Sequence, residues 1–255
     1  QPRLVETEEY LDPGPVAALA SIFDDGLPTP GPGDPLPPLW HWVALPRWSP
    51  STTLSLDGHP VRGGFLPPVE LPRRMFAGGT VSLPGVLHVG ATVHRRARVD
   101  SVVRKSGRSG ELVLVETTTE LLADGELALV EKQNLIYRAA APVPERLPDP
   151  ASAAALVPVG APLTRGAGDS WVFRTDPTVA ARFSAAMANA HRIHYDWPYA
   201  TGVEGYPGLV VHGPLMSLTL AQTHRHSDDG RRVVELTHRN SAPLFCGQDA
   251  EIRTA

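Results

Sequence analysis

Proline occupies 27 of the 255 positions, about twice the share usual in folded proteins. Its ring removes a backbone donor and fixes φ, so helices and central strands must fit between the prolines. The prolines crowd into Leu27 to Pro38, Pro67 to Pro72 and Pro142 to Pro162. The first cluster follows a short helical stretch, Val16 to Phe23, and the last parts two segments of different periodicity. That last cluster reads as a linker. The expected division is therefore a first half, 1–141, a Pro-rich linker, 142–162, and a second half, 163–255.

Ahead of the linker, Ala91 to Arg138 holds three runs rich in Val, Leu, Thr and charged residues. Lys105-Ser106-Gly107-Arg108-Ser109-Gly110 and Ala123-Asp124-Gly125 break them. Turns this short favour an antiparallel meander, and the apolar run Leu112 to Val115 predicts a strand covered on both faces. Past the linker the pattern turns helical: Asp176-Pro177 is a cap and first-turn pair, followed by Val179, Phe183, Ala186 and Met187 at helical spacing. A second helix is predicted from Gly213-Pro214, carrying Leu215 and Leu218, and Arg231 to His238 and Ala250 to Arg253 read as strands. Each half thus offers sheet plus helix, an α+β pattern.

Composition narrows the partners. A net charge of −4 and a pI near 6.2 provide no global positive field for nucleic acid or an anionic bilayer. Gln1 to Leu11 has no apolar run behind a basic start, and no stretch has the roughly 18 consecutive apolar residues of a spanning helix. The lone cysteine, Cys246, excludes an intrachain disulfide and a cysteine-based zinc site, which fits a reducing cytoplasm.

The segment Asn189-Ala190-His191-Arg192-Ile193-His194-Tyr195-Asp196 falls where the first helix of the second half should end. An amide five residues before a histidine can hold one water between them if the chain turns. Water addition to a conjugated double bond needs a base at the attacking water and an acid for the α carbon, and histidine can serve as either near neutral pH. Asparagine can only orient the water. The plainer reading is that these residues cap a helix and its turn. Downstream, Tyr206-Pro207-Gly208-Leu209-Val210-Val211-His212-Gly213-Pro214-Leu215 runs as a buried strand into a glycine before a proline-started helix. The Gly213 N–H and the helix N-terminus could then stabilise an enolate-like thioester oxygen. The plainer reading here is a glycine needed for tight packing.

Together these two segments resemble the second half of the MaoC-like, R-specific enoyl-thioester hydratases. That family pairs an aspartate with a histidine five residues on, and Asn189 stands at the aspartate's position here, with His194 following. The Asn-x-x-x-x-His pattern is that of one branch, the mitochondrial-type 3-hydroxyacyl thioester dehydratases and the mesaconyl-C4-CoA hydratases. First-half blocks resemble the same branch: Leu36-Pro37-Pro38-Leu39-Trp40-His41-Trp42, Asp57-Gly58-His59-Pro60, Gly63-Gly64-Phe65-Leu66-Pro67-Pro68 and Leu71-Pro72-Arg73-Arg74-Met75-Phe76-Ala77-Gly78-Gly79. So do Lys105 to Gly110 and Glu131-Lys132-Gln133-Asn134-Leu135-Ile136-Tyr137-Arg138.

The resemblance implies a double hot dog, two antiparallel sheets each wrapped around a central helix, with the second half catalytic and a tunnel shared between halves. Because few residues follow Ile252, the final strands are expected to be truncated. It further implies hydration or dehydration of an acyl-CoA or acyl-carrier-protein thioester, with Asn189 and His194 at the water and Gly213 at the thioester oxygen. Val211 and His212 would line the substrate path. No metal or redox cofactor is expected, and a homo-oligomer stays open. Arg73 and Arg74 suit phosphates or a substrate carboxylate, or simply flank a Pro-rich turn. Arg95, Arg96, Arg98, Arg104, Lys105 and Arg108 form a basic ribbon that could meet CoA phosphates or a carrier protein, or be a solvated strand face. Trp40, His41 and Trp42 read as packing, Asp57-Gly58 as a turn that could bring His59 toward the tunnel, and Cys246 as filler. The favoured substrate is a CoA ester of a small branched dicarboxylic acid. The alternatives are an (R)-3-hydroxyacyl thioester of fatty acid metabolism and a non-catalytic acyl-binding subunit.

Overall fold

The computed structural model describes residues 4–107, 110–142, 149, 158–227 and 230–253. The Arg108-Ser109 turn and most of the expected linker lie outside the described residues. The predicted meander forms: β3 (Thr92–Gly107), β4 (Gly110–Ala123) and β5 (Glu126–Arg138) pair antiparallel in sequence order. Asp124 and Gly125 make its tight turn with φ of 50° and 81°, the left-handed pair a two-residue hairpin favours. β1 (Val5–Tyr10) adds to the outer edge of β3, and β2 (Arg73–Ser82) to the outer edge of β5. Leu112 and Leu114 are half-buried while Val113 and Val115 are buried, so β4 alternates there instead of being covered on both faces.

β8 (Glu235–Arg239), from the second half, completes this sheet by pairing with β2, in the order β1-β3-β4-β5-β2-β8. Residues 231–234 of the predicted strand stay outside the ladder; the Arg232 side chain bonds the Leu83 and Gly85 carbonyls there. A second sheet, β6 (Leu163–Arg165), β7 (Ser170–Phe173) and β9 (Ala250–Arg253), is also antiparallel.

Five α-helices pack on this frame among the described residues. Asp12 caps α1 (Pro13–Phe23), accepting a 2.6 Å bond from the Gly14 N–H. α2 (His41–Ala44) is a single turn. Asp176 caps α3 (Pro177–Ala186) by accepting from the Val179 N–H at 2.7 Å, as its Asp-Pro start predicts. α4 (Trp197–Gly202) is short, and α5 (Gly213–Ser227) starts at the predicted Gly-Pro step. Val16, Leu19 and Phe23 of α1 share one apolar core with Leu215 and Leu218 of α5, Phe183 of α3, and Val81, Val93, Leu121 and Leu129 of the large sheet. Each such side chain contributes about 1.5–3 kcal/mol by leaving water. No described helix is long and apolar enough to cross a membrane.

The tryptophan-flanked segment packs, as expected. Trp40 Nε1 donates to Gln222 Oε1 of α5 at 3.3 Å, while Trp42 Nε1 donates at 2.6 Å to the buried Glu131 of β5. His41 Nε2 and Gln133 Nε2 lie 3.2 and 2.7 Å from the same carboxylate. Glu131→Ala strands these partners in the core and should cost about 3 kcal/mol, seen as a lower urea midpoint; an unchanged midpoint would refute this role.

Candidate active site

Helix α3 ends with Ala188 in the left-handed region, φ 53°, and the chain reverses as the Asn189 N–H bonds the Ser184 carbonyl at 2.9 Å. Asn189 Oδ1 then accepts from the His191 N–H at 3.0 Å, which fixes the amide's orientation. Its Nδ2 donates to no described residue. One 3-10 turn, Arg192–His194, carries His194 inward until 6% of it is exposed.

There the Ile193 carbonyl accepts from the Val210 N–H at 3.0 Å, and His194 Nδ1 lies 2.7 Å from the Val210 carbonyl. A carbonyl can only accept, so Nδ1 carries the proton and Nε2 keeps its lone pair. Burial pushes the His194 pKa down to about 3, against the Val210 bond and with help from His191. The imidazole is therefore neutral at physiological pH. Nε2 bonds no described residue, and it is not among the nitrogens sealed from solvent.

The His194 ring stacks on His212, centroids 3.6 Å apart and planes 18° from parallel. His212 is fully buried, has its Nε2 2.8 Å from Ser184 Oγ, and is held well below the ordinary histidine range by burial and by His194. Its carbonyl accepts the Met216 N–H at 3.1 Å, the first helical bond of α5, so the Gly213 and Leu215 amides have no acceptor within the helix. The structure thus brings His194 to the start of α5 through His212. Gly213 also answers its plainer reading: a Cβ there would lie 2.6 Å from Asn240 Nδ2 and 3.1 Å from Phe76. Val211 is buried and tied to the Leu244 carbonyl at 2.8 Å.

The first half supplies a wall of this site. The Arg192 N–H bonds the Asp57 carbonyl at 2.9 Å, and Gly58 adopts φ +89° against Ala190, whose carbonyl oxygen would lie 1.8 Å from any Cβ. Only glycine allows that approach. His59 Nδ1 donates to Asp57 Oδ2 at 3.0 Å, and its ring lies 4.0 Å from His191, which meets His194 edge-on at 5.5 Å. Burial, then the nearby Arg74 charge, depresses the His59 pKa well below its ordinary value despite the Asp57 bond. Burial alone would raise the Asp57 pKa, but bonds from His59 and Ser55 hold its carboxyl far below the usual range. Ligand atoms of Asp57, His59 and His191 lie within 4.8 Å of one another, the spacing of a metal cluster. The two rings overlap at 36°, however, and ring lone pairs lie in plane, so they converge poorly on one ion. This run of rings is the feature the sequence underplays: Asp57-Gly58-His59 signals a turn, and nothing local says what it packs against.

Arg73 and Arg74, adjacent on β2, part company. Arg73 Nε bonds Glu204 Oε2 at 3.0 Å, and its guanidinium lies 4.8 Å from the Tyr206 ring centre. Arg74 faces Tyr137 across the β2–β5 ladder. In the basic ribbon Arg95 pairs with Glu9, Arg96 with Glu6, Arg98 with Asp100 and Glu120, and Arg104 with Glu111, so most of its charge is balanced within the sheet. Lys105 is exposed near the end of β3, and Arg108 lies outside the described residues. Burial raises the Cys246 thiol to about 11, so it stays protonated. Two cavities, of about 620 and 270 Å³, lie along α5 at His224 and Pro38, and neither is lined by Asn189, His194 or Gly213.

Comparison with known proteins gives the family and the fold. Residues 39–246 match the family described as hydroxyacyl-thioester dehydratase type 2. The mesaconyl-C(4)-CoA hydratase of Chloroflexus aurantiacus is 41% identical over 245 residues, covering 95% of this chain and 83% of the relative. Among solved structures, HtdX of Mycobacterium tuberculosis superposes with a TM-score of 0.63 at 18% identity, covering 97% of this chain and 86% of the other. Another M. tuberculosis protein, described as having a double hotdog fold, gives 0.55 at 18% identity, covering 98% and 82%. The sheets and helices described above are accordingly those of a double hot dog, and the chain belongs to the hydroxyacyl-thioester dehydratase type 2 family, as an enzyme of the hydro-lyase class.

Proposed function

We propose that this enzyme adds water to the α,β double bond of an enoyl-CoA whose acyl group carries a second carboxylate, as in mesaconyl-C4-CoA, and catalyses the reverse dehydration. The observation that carries the reading is the neutral His194, with Nδ1 tied to the Val210 carbonyl and Nε2 left to accept a proton. The relative at 41% identity, a mesaconyl-C(4)-CoA hydratase, supports the acyl class. In this mechanism Asn189 orients a water, and His194 Nε2 takes its proton as oxygen attacks the β carbon. The Gly213 amide, at the positive end of the α5 dipole, stabilises the oxygen of the resulting enolate. The same imidazole, now protonated, supplies the α carbon, and in reverse it protonates the departing hydroxyl.

A plain (R)-3-hydroxyacyl thioester on CoA or a carrier protein would use the same groups, and the family's description favours it as the second reading. A reducing cytoplasm, in keeping with the buried single cysteine, and assembly as a homo-oligomer belong to the proposal.

His194→Ala should lower kcat/KM by about 10²- to 10⁴-fold, the usual worth of a positioned base. The rate is read from loss of the conjugated enoyl-thioester absorbance. Near wild-type turnover would sink the assignment, as would a loss traceable to unfolding by circular dichroism.

A neutral buried imidazole also links stability to pH. His59, His194 and His212 all have folded pKa values below the ordinary 6.5, so on acidification the unfolded chain binds protons first. Stability should therefore fall from pH 6.5 to about 5, by roughly 1.4 kcal/mol per pH unit for each such imidazole once well below 6.5. A free energy of unfolding that is flat across this window contradicts the neutral assignment.

A further inference from the structure

The charges beside His59 do not balance. Asp57 is committed to His59 and Ser55, and Glu204 to Arg73. Arg62 directs its guanidinium at backbone, donating to the Val69, Leu71 and Pro72 carbonyls at 2.5, 2.6 and 2.6 Å, which leaves its charge without a carboxylate among the described residues. Arg74, half-buried, makes no ion pair with a carboxylate among the described residues, and the side chain it interacts with most is Tyr137. Its partners are Tyr137, through charge and side-chain hydrogen bonding, the more distant charge of Asp57, and the like-charged Arg62. Opposite it in the β2–β5 register stands Tyr137, fully buried, with a hydroxyl that bonds no other described residue. A guanidinium fork and a phenol donor side by side, with net positive charge around them, are suited to a planar anion and not to a cation.

We propose that Arg74 and the Tyr137 hydroxyl form the subsite for the second carboxylate of the acyl group, which makes them the residues that set substrate class. This rests on the hydratase reading above and deepens it. The location suits a carboxylate borne on the β carbon. Arg74 is close enough to His59 to depress its protonation, His59 lies against His191, and His191 meets His194. An acyl group whose β carbon faces the His194 water therefore directs a carboxylate on that carbon along this wall. Arg73, already paired, has no such part.

The test uses mesaconyl-C4-CoA against crotonyl-CoA as substrates, and succinyl-CoA against butyryl-CoA as ligands that cannot be hydrated. Arg74→Met should lower the ratio of kcat/KM for mesaconyl-C4-CoA over crotonyl-CoA by about 100-fold, the loss of a charge-assisted pair. Tyr137→Phe should lower it by about 10-fold, and Arg74→Lys should fall between Arg74→Met and wild type. By calorimetry, wild type should bind succinyl-CoA more tightly than butyryl-CoA, and Arg74→Met should lose that preference. Equal losses on both substrates, or an unchanged ratio, overturn the subsite. Wild type that hydrates crotonyl-CoA but not mesaconyl-C4-CoA overturns the subsite and leaves the hydratase chemistry standing. If wild type hydrates neither, the hydratase reading fails, and the succinyl-CoA preference with its loss in Arg74→Met judges the subsite alone. Should Arg74→Met fail to fold, the ratios in Tyr137→Phe and Arg74→Lys decide in the same way.

Discussion

The hydrogen bond from His194 Nδ1 to the Val210 carbonyl holds the site together in both senses that matter. Mechanically, with the Val210 N–H to Ile193 bond beside it, it fastens the chain leaving α3 to the segment that enters α5. Chemically, it settles which nitrogen of the ring is free. Without it a buried imidazole could sit in either tautomer, and Nε2 would not be held as an acceptor. The stacking on His212 follows from the same attachment, because residue 212 leaves the Val210 segment two positions later.

The second constraint is contact between halves. Gly58 lets the Asp57 turn press its backbone on Ala190, and that single approach seats His59 against His191. The chain thereby builds one wall of the candidate site from residues more than a hundred positions away from the Asn189–His194 segment. β8 does something similar for the frame, closing the first-half sheet with a strand from the second half.

What the sequence discloses follows a physical rule. Local signals survive translation into structure: the Asp124-Gly125 hairpin, the Asp176-Pro177 cap and the Gly213-Pro214 helix start are written in adjacent residues and depend little on distant packing. The amide and imidazole proposed for catalysis, Asn189 and His194, were singled out through family pattern, because their spacing is itself local. The His59–His191 contact and the pairing of β8 with β2 were not, since neither leaves a periodicity. Arg73 and Arg74 sit between these cases. Strand alternation says that they face opposite ways, but only the fold shows that one meets Glu204 and the other the Tyr137 phenol.

The proposed hydration by His194 and Asn189 would put a solvent oxygen on the β carbon and a solvent hydrogen on the α carbon, while the thioester survives. The most direct measurement is therefore mass spectrometry of mesaconyl-C4-CoA turned over by the purified chain in oxygen-18 water and, separately, in deuterium oxide. The expected product is an intact CoA thioester carrying one oxygen-18 on the β carbon and one carbon-bound deuterium on the α carbon. Release of free CoA with the label in the carboxylate, or recovery of unlabelled substrate alone, would contradict the account.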